Sequence, residues 1–193
     1  MIKKLFVLLV TCVLSISVCQ TAFAAEETGN IYAPYANFEE LYSAYLEAVD
    51  NGDQDLQKEL EQLAADTLKA EMEEIETIDE MPAPGNPLLC YDPDNKYWIN
   101  QFPTYFSSGL WKSNSEGWNL ALMPKDRGIP WSATKKSNGW NAVYAKFSNS
   151  SHWDNTACMK EQFYCHARLF YATAAGEWNL EPWKTSIKAV TCN

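Results

Sequence analysis

Three groups of residues in the C-terminal half of the chain have the types and spacing for chemistry. The first is Glu161, Gln162, His166 and Arg168 around Cys165. An imidazole oriented by a carboxylate can act as a general base, the role Glu161 and His166 would share. No nucleophile accompanies them, so the plainer expectation is that these groups satisfy backbone and pin a disulfide. The second is Asn179 and Glu181 between Trp178 and Trp183. On a strand, Asn179 and Glu181 face one side while Trp178 and Leu180 face the other. Indoles stack on the apolar faces of pyranoses, and amides and carboxylates take the hydroxyls. Trp178, Asn179, Glu181 and Trp183, with Arg168, are therefore the candidate ligand-binding residues; the competing reading puts both indoles in the core. The third is a carboxylate pair for glycoside hydrolysis, Glu116 or Asp154 with Glu181, whose separation the sequence does not set. No G-x-S-x-G nucleophile elbow, no H-E-x-x-H and no phosphate-binding glycine loop occurs.

The cysteines depend on the compartment. Lys3 and Lys4 precede an apolar run that begins at Leu5 and thins out near Val18, and Ala22-Phe23-Ala24 follows. A positive tip, a short apolar core and an A-x-A end are the parts of a secretory signal peptide, with cleavage expected between Ala24 and Ala25. A lipid anchor at Cys19 is the rival, disfavoured by Val18 before it. The apolar core falls short of the roughly 20 residues that span a bilayer, so no transmembrane segment is expected once the leader is gone. Cys90, Cys158, Cys165 and Cys192 then remain of six. Outside the cytosol four thiols form two disulfides, in any of three connectivities. A zinc site would need His152 or His166 and lacks a C-x-x-C pair. A Cys165-His166 catalytic pair is disfavoured because strand neighbours point apart and a secreted thiol with partners is oxidised. No metal and no cofactor is expected.

Charge divides what must position these residues. Without the leader the formal charge moves from -10 to -12. Residues 25 to 85 carry 17 acids against Lys58 and Lys69, whereas residues 86 to 193 carry 8 acids against 11 bases and all 8 tryptophans. Met81-Pro82-Ala83-Pro84-Gly85-Asn86-Pro87 stands at the break and reads as a linker over 82–89. An acidic front argues against nucleic-acid binding, and the mildly basic back is too weakly charged to reverse that.

Within 25–81 the pattern predicts an acidic helical hairpin. Asn37 with Glu40 fits a capping box, followed by a stripe of Phe38, Leu41, Tyr42, Tyr45, Leu46 and Val49. Asn51-Gly52 ends the first helix. A second helix from about Asp53 to Asp79 would bury Leu56, Leu60, Leu63, Ala64, Leu68, Met72 and Ile75. Its outer face would carry Glu59, Glu61, Asp66, Glu71, Glu73, Glu74 and Glu76 as a solvated surface. Asp50, Asp53 and Asp55 cluster near Gly52, but the loop of an EF-hand is absent.

Residues 90–193 predict a small disulfide-linked α+β domain with an antiparallel sheet and two short helices. Tyr97 to Phe106 is aromatic and β-prone, with Pro103 at an edge or bulge. Gly117 to Leu122 alternates like a half-buried strand, and Lys125 to Gly128 is a turn. Trp140, Val143, Tyr144 and Phe147 share a helical face. Asn155 or Thr156 caps a helix through Met159 and Phe163, Ala167 to Thr173 is extended, and Trp178-Asn179-Leu180 is a strand. Trp-Asn recurs at 118, 140 and 178 with unequal spacing, so no repeat array is present.

Met159-x-Glu161-Gln162-Phe163-x-Cys165-His166, then Trp178-Asn179-Leu180-Glu181-Pro182-Trp183, then Cys192-Asn193 resembles a bacterial exported family of unknown function, number 2599. The likeness covers about residues 96–193. It implies secretion and a shared small fold, and brings no activity, cofactor or catalytic residue. Because Cys165 and Cys192 both fall in the family-like strings, the resemblance implies a Cys165–Cys192 pair and leaves Cys90–Cys158 as the second. The first would close a loop worth roughly 3 kcal/mol in the chain-entropy model.

The functional expectation is a secreted, non-enzymatic binding module for envelope glycan or a secreted protein partner, without nucleic acid. Its alternatives are a hydrolase of wall or host polymer using His166 with Glu161 or Glu181, and a secreted antagonist or toxin.

Overall fold

The computed structural model describes residues 30–79, 96–168 and 176–192. The leader with its Ala24-Ala25 junction, the 82–89 linker, Cys90 and residues 169–173 of the expected extended stretch lie outside the described residues.

The hairpin forms as its capping chemistry dictates. Asn37 is extended, and its side chain accepts from the Glu40 N–H at 3.0 Å. Glu40 in return accepts from the Ala36 N–H at 2.9 Å. Helix α1 runs Phe38–Asp50 and closes through Gly52 at φ 70°. The Gly52 and Asp53 N–H groups donate back to Val49 and Ala48, the Schellman arrangement. Asp53 then caps α2, Gln54–Asp79, by accepting from Leu56 at 3.0 Å. The expected α1 stripe is rotated. Phe38, Leu41 and Ala48 are buried against α2, while Leu46 and Val49 stay exposed. The offsets of three and four in the sequence define a face wider than one neighbouring helix can cover.

The expected outer face of α2 needs a larger correction. Glu59, Asp66, Glu73, Glu74 and Glu76 are exposed, but Glu61 and Glu71 turn inward. They sit in line with Leu60, Ala64, Leu68 and Ile75, all buried. Their carboxylates reach groups of the C-terminal region: Glu61 accepts from Val190 N–H at 3.3 Å, and Glu71 meets Lys136 Nζ at 2.8 Å. Glu71 also accepts from the hydroxyl of Tyr32, ahead of α1.

The expected strand over Tyr97 to Phe106 is instead helix α3, Lys96–Tyr105, which makes three helices where two were expected in this region. Trp98 and Phe102, four apart, form its buried side. Pro103 sits two residues from the end, so the hydrogen bond its missing N–H forfeits is one the helix can lose. Strand β1, Phe106–Ser113, follows directly, and its bulge falls at Ser107. Strand β2, Trp118–Pro124, pairs antiparallel with β1, and β3, Trp178–Leu180, pairs antiparallel with β2. The sheet order is β1-β2-β3.

Helix α4 covers Ala133–Phe147 and begins seven residues before the expected Trp140, because Ser132 caps it by accepting from Lys135 N–H. Helix α5, Thr156–Arg168, runs through Ala167 and Arg168, the start of the expected extended stretch. Trp140, Phe163, Trp178, Phe106, Leu120 and Leu122 form the centre of the core. The Trp131 N–H donates to the Ala167 carbonyl at 2.9 Å, tying the loop before α4 to the end of α5. A disulfide joins Cys165 to Cys192 across a separation of 27 residues, with Cα atoms 5.5 Å apart.

Candidate functional site

The residues expected to do chemistry are mostly committed to structure. Glu161 and His166 lie five apart on α5, roughly 140° around the helix axis, and no carboxylate bonds to the imidazole among the described residues. The His166 ring nitrogens are closed off from solvent, and its ring stacks on Trp178 at 5.9 Å. Burial holds its pKa down at about 4, opposed by the Asn179 backbone, so the ring is neutral near pH 7. Glu161, partly buried, has its carboxyl pushed up for the same reason. The general-base reading therefore gives way to a structural one.

The ligand-binding candidates divide. Trp178 is fully buried, with ring centroids of Trp131 at 5.0 Å and Phe163 at 5.5 Å; it is core and no part of a binding surface. Arg168 is 4% exposed. Its guanidinium donates to Ala64 carbonyl at 2.9 Å, Ala189 carbonyl at 2.8 Å and Thr67 Oγ1 at 3.2 Å, and lies 4.4 Å from the Phe38 ring centroid. It fastens α5 to the hairpin and is closed to ligand. Asn179 leaves the core on the opposite side from Trp178 and accepts from Asn119 Nδ2 at 2.5 Å. Glu181 pairs with Lys184 at 2.5 Å, both largely covered. Gln162, fully buried, holds the Glu181 backbone from both sides: its Oε1 accepts from Glu181 N–H at 2.6 Å, and its Nε2 donates to Glu181 carbonyl at 3.1 Å. Trp183 alone of the two flanking indoles is exposed, at 40%.

Trp183 belongs to a cluster assembled by three turns at one end of the sheet. The β1–β2 turn is closed by Asn114, whose Oδ1 accepts from Glu116 and Gly117 N–H groups at 2.9 Å. Gly117 has φ 155°, and a Cβ there would lie 2.8 Å from Trp183 Cδ1. Only glycine lets the Trp183 ring lie against this turn. Trp118 follows at 42% exposed. The turn after α4 brings His152 onto it, ring centroids 3.9 Å apart and 18° from parallel. Trp111 on β1 meets the same imidazole edge-on at 5.6 Å. The third turn is joined to the second by Asn155, whose amide donates to the Lys184 carbonyl. Trp118, His152 and Trp111 are in ring contact and Trp183 lies against the adjoining Gly117 turn; this aromatic platform leaves the indoles of Trp118 and Trp183 open to solvent.

The alternation in the sequence puts Trp118 in a half-buried strand, and His152 enters there only as a possible zinc ligand. Trp118 shares the parity of buried Leu120 and Leu122, but it stands at the first position of β2, where it is covered on one face by His152 and is otherwise exposed. The glycine preceding it was the available signal.

Glu116 and Asp154 are exposed, on the β1–β2 turn and just after the turn that carries His152, while Glu181 is largely covered by its pairing with Lys184. Among the described residues no group of three or more His, Cys, Asp or Glu could hold a metal ion. Cys158 is buried and has no sulfur partner among the described residues; its expected partner Cys90 lies outside them. Among the described residues no helix is long and apolar enough to cross a membrane.

Fold and site define a disulfide-closed α+β protein whose exposed feature is an aromatic platform at one end of a three-stranded sheet. Residues 106–193 match the model of a family described as Protein of unknown function (DUF2599). No curated protein and no solved structure matches the chain.

Proposed function

We propose that this is an exported, non-catalytic binding module that holds an envelope glycan on the Trp118–Trp183 platform. The observation that carries the reading is the pair of indoles left 42% and 40% exposed on ordered turns, in a protein whose core takes up Trp98, Trp131, Trp140 and Trp178. Large aromatic rings held open at a defined place are the surface a pyranose stacks on, with apolar area and ring polarisation acting together. His152 stiffens Trp118 from behind, and Gly117 sets Trp183 beside it. The reading is further supported by the burial or ion pairing of His166, Glu181 and Arg168, which takes the imidazole and one of the two carboxylates of the hydrolase alternative out of reach of a substrate. Export is supported by the leader-like start of the chain and by the disulfide, since such bonds persist in oxidising compartments.

A pulldown of the purified protein on cell-wall sacculi, scored for retention and for released fragments, tests this. Retention without release is expected, and Trp118→Ala or Trp183→Ala should each weaken it about tenfold. Retention unchanged in both variants, or fragment release abolished by His166→Ala, would overturn the proposal.

A further inference from the structure

The turns that carry the platform also carry charge, and its arrangement selects among glycans. Three cationic or basic groups lie on or near the platform. Lys184 has its ammonium 5.3 Å from the Trp183 ring centroid, but it is paired with Glu181 at 2.5 Å. Lys112, on β1 next to Trp111, is paired with Glu177 at 2.6 Å. His152 has its ring engaged between Trp118 and Trp111. Two carboxylates are differently placed. Glu116 is two residues before Trp118 on an exposed turn, and Asp154 is two residues after His152, also exposed. Asp154 accepts from the adjacent Asn155 N–H at 2.7 Å, and neither carboxylate has a cationic partner among the described residues. The cations beside the indoles are thus neutralised, while two negative charges stand at the turns that hold them.

We infer that the platform takes an uncharged glycan chain and turns away anionic polymers, with Glu116 and Asp154 as the specificity-determining residues. This rests on the glycan-binding reading above. A neutral chain offers hydroxyls to the carboxylates and to Asn114 and Asn155, and pays no repulsion. A chain with one carboxylate per residue brings like charges beside Glu116 and Asp154. In water-exposed turns that repulsion is modest per contact, screened by salt, and repeated along the polymer.

Affinity electrophoresis or tryptophan-quenching titration of the full protein tests it. The probes are N-acetylglucosamine hexamer and a soluble β-glucan as neutral chains, and polygalacturonate as the anionic one. At low salt the wild type should bind one of the neutral chains at least tenfold more tightly than polygalacturonate. In Glu116→Gln/Asp154→Asn that ratio should shrink about fivefold, and high salt should shrink it in the wild type. Stronger binding to polygalacturonate, or a ratio unmoved by the double variant, overturns the selection. If Trp118→Ala still abolishes neutral-chain binding in that case, the platform reading stands alone. If the wild type binds none of the three chains, both the platform reading and the selection fall.

Discussion

Lys136 on α4 and Glu71 on α2 meet at 2.8 Å with both side chains largely covered, so the basic and acidic parts of the chain are joined by a buried ion pair. Glu71 also accepts from Tyr32, and a few residues away Lys160 reaches Glu76 at 2.9 Å. Removing one partner of a buried pair strands the other. Lys136→Met should therefore cost about 3 kcal/mol in urea unfolding, and Glu71→Gln should recover much of that loss in the double variant. A strictly additive double variant would show that the two side chains do not interact.

Arg168 makes three hydrogen bonds from a site that is 4% exposed. Arg168→Ala leaves two carbonyls and a hydroxyl without their donor and removes the guanidinium that lies over the Phe38 ring. A loss of about 3 kcal/mol is expected by chemical denaturation. Because those partners lie on α2 and in the C-terminal turn, hydrogen exchange should rise at both places. Exchange confined to α5 would contradict the assignment.

His166 gives stability a pH dependence of definite sign. Its pKa is near 6.5 in the unfolded chain and about 4 when folded, so the unfolded state binds the proton first. Its contribution is complete above pH 6.5, falls as pH drops through that value, and is lost by about pH 4. The total is on the order of 3 kcal/mol. Glu61 and Glu161, whose carboxyls burial raises, act in the opposite sense at the acid end of this window. Urea titrations at pH 7, 6, 5 and 4 should show the slope in the wild type and a flatter profile in His166→Gln.

The Cys165–Cys192 bridge closes a loop of 27 residues. Its removal by Cys165→Ser with Cys192→Ser should cost about 3 kcal/mol. In the folded wild type neither sulfur should react with iodoacetamide before reduction. Labelling of Cys165 without reductant would contradict the bridge.

Gly117→Ala places a Cβ at φ 155° and 2.8 Å from Trp183 Cδ1. The strain should cost about 1 to 2 kcal/mol. The displaced indole should shift tryptophan fluorescence and weaken glycan retention as far as Trp183→Ala does. Retention equal to wild type would separate Gly117 from the platform.

What could be read from the residues alone was whatever local patterning decides. The α1 cap, the Gly52 stop, the length of α2 and the β3 strand all follow from side chains near in sequence. What could not be read was decided by distant partners. Glu61 and Glu71 look like solvated acids until the C-terminal turn and Lys136 are brought to them. The aromatic run from Tyr97 looks like a strand because Phe147, the ring that meets Phe102 edge-on, comes from α4, far along the chain. Trp178 and Trp183 read alike in sequence, but one falls in the strand and the other in the turn after it. Nothing local to His152 indicates that a turn will lay its ring on Trp118.

The contacts of Arg168 separate the unit of sequence similarity from the unit that can stand alone in water. The family match begins at Phe106, yet two of the three acceptors that satisfy this guanidinium, Ala64 and Thr67, are supplied some forty residues earlier. A polypeptide trimmed to the homologous boundary would open an arginine and its surrounding apolar wall to solvent. Expression of that fragment should yield aggregating or partly folded material, so reagents for this protein are best cut before Asn30.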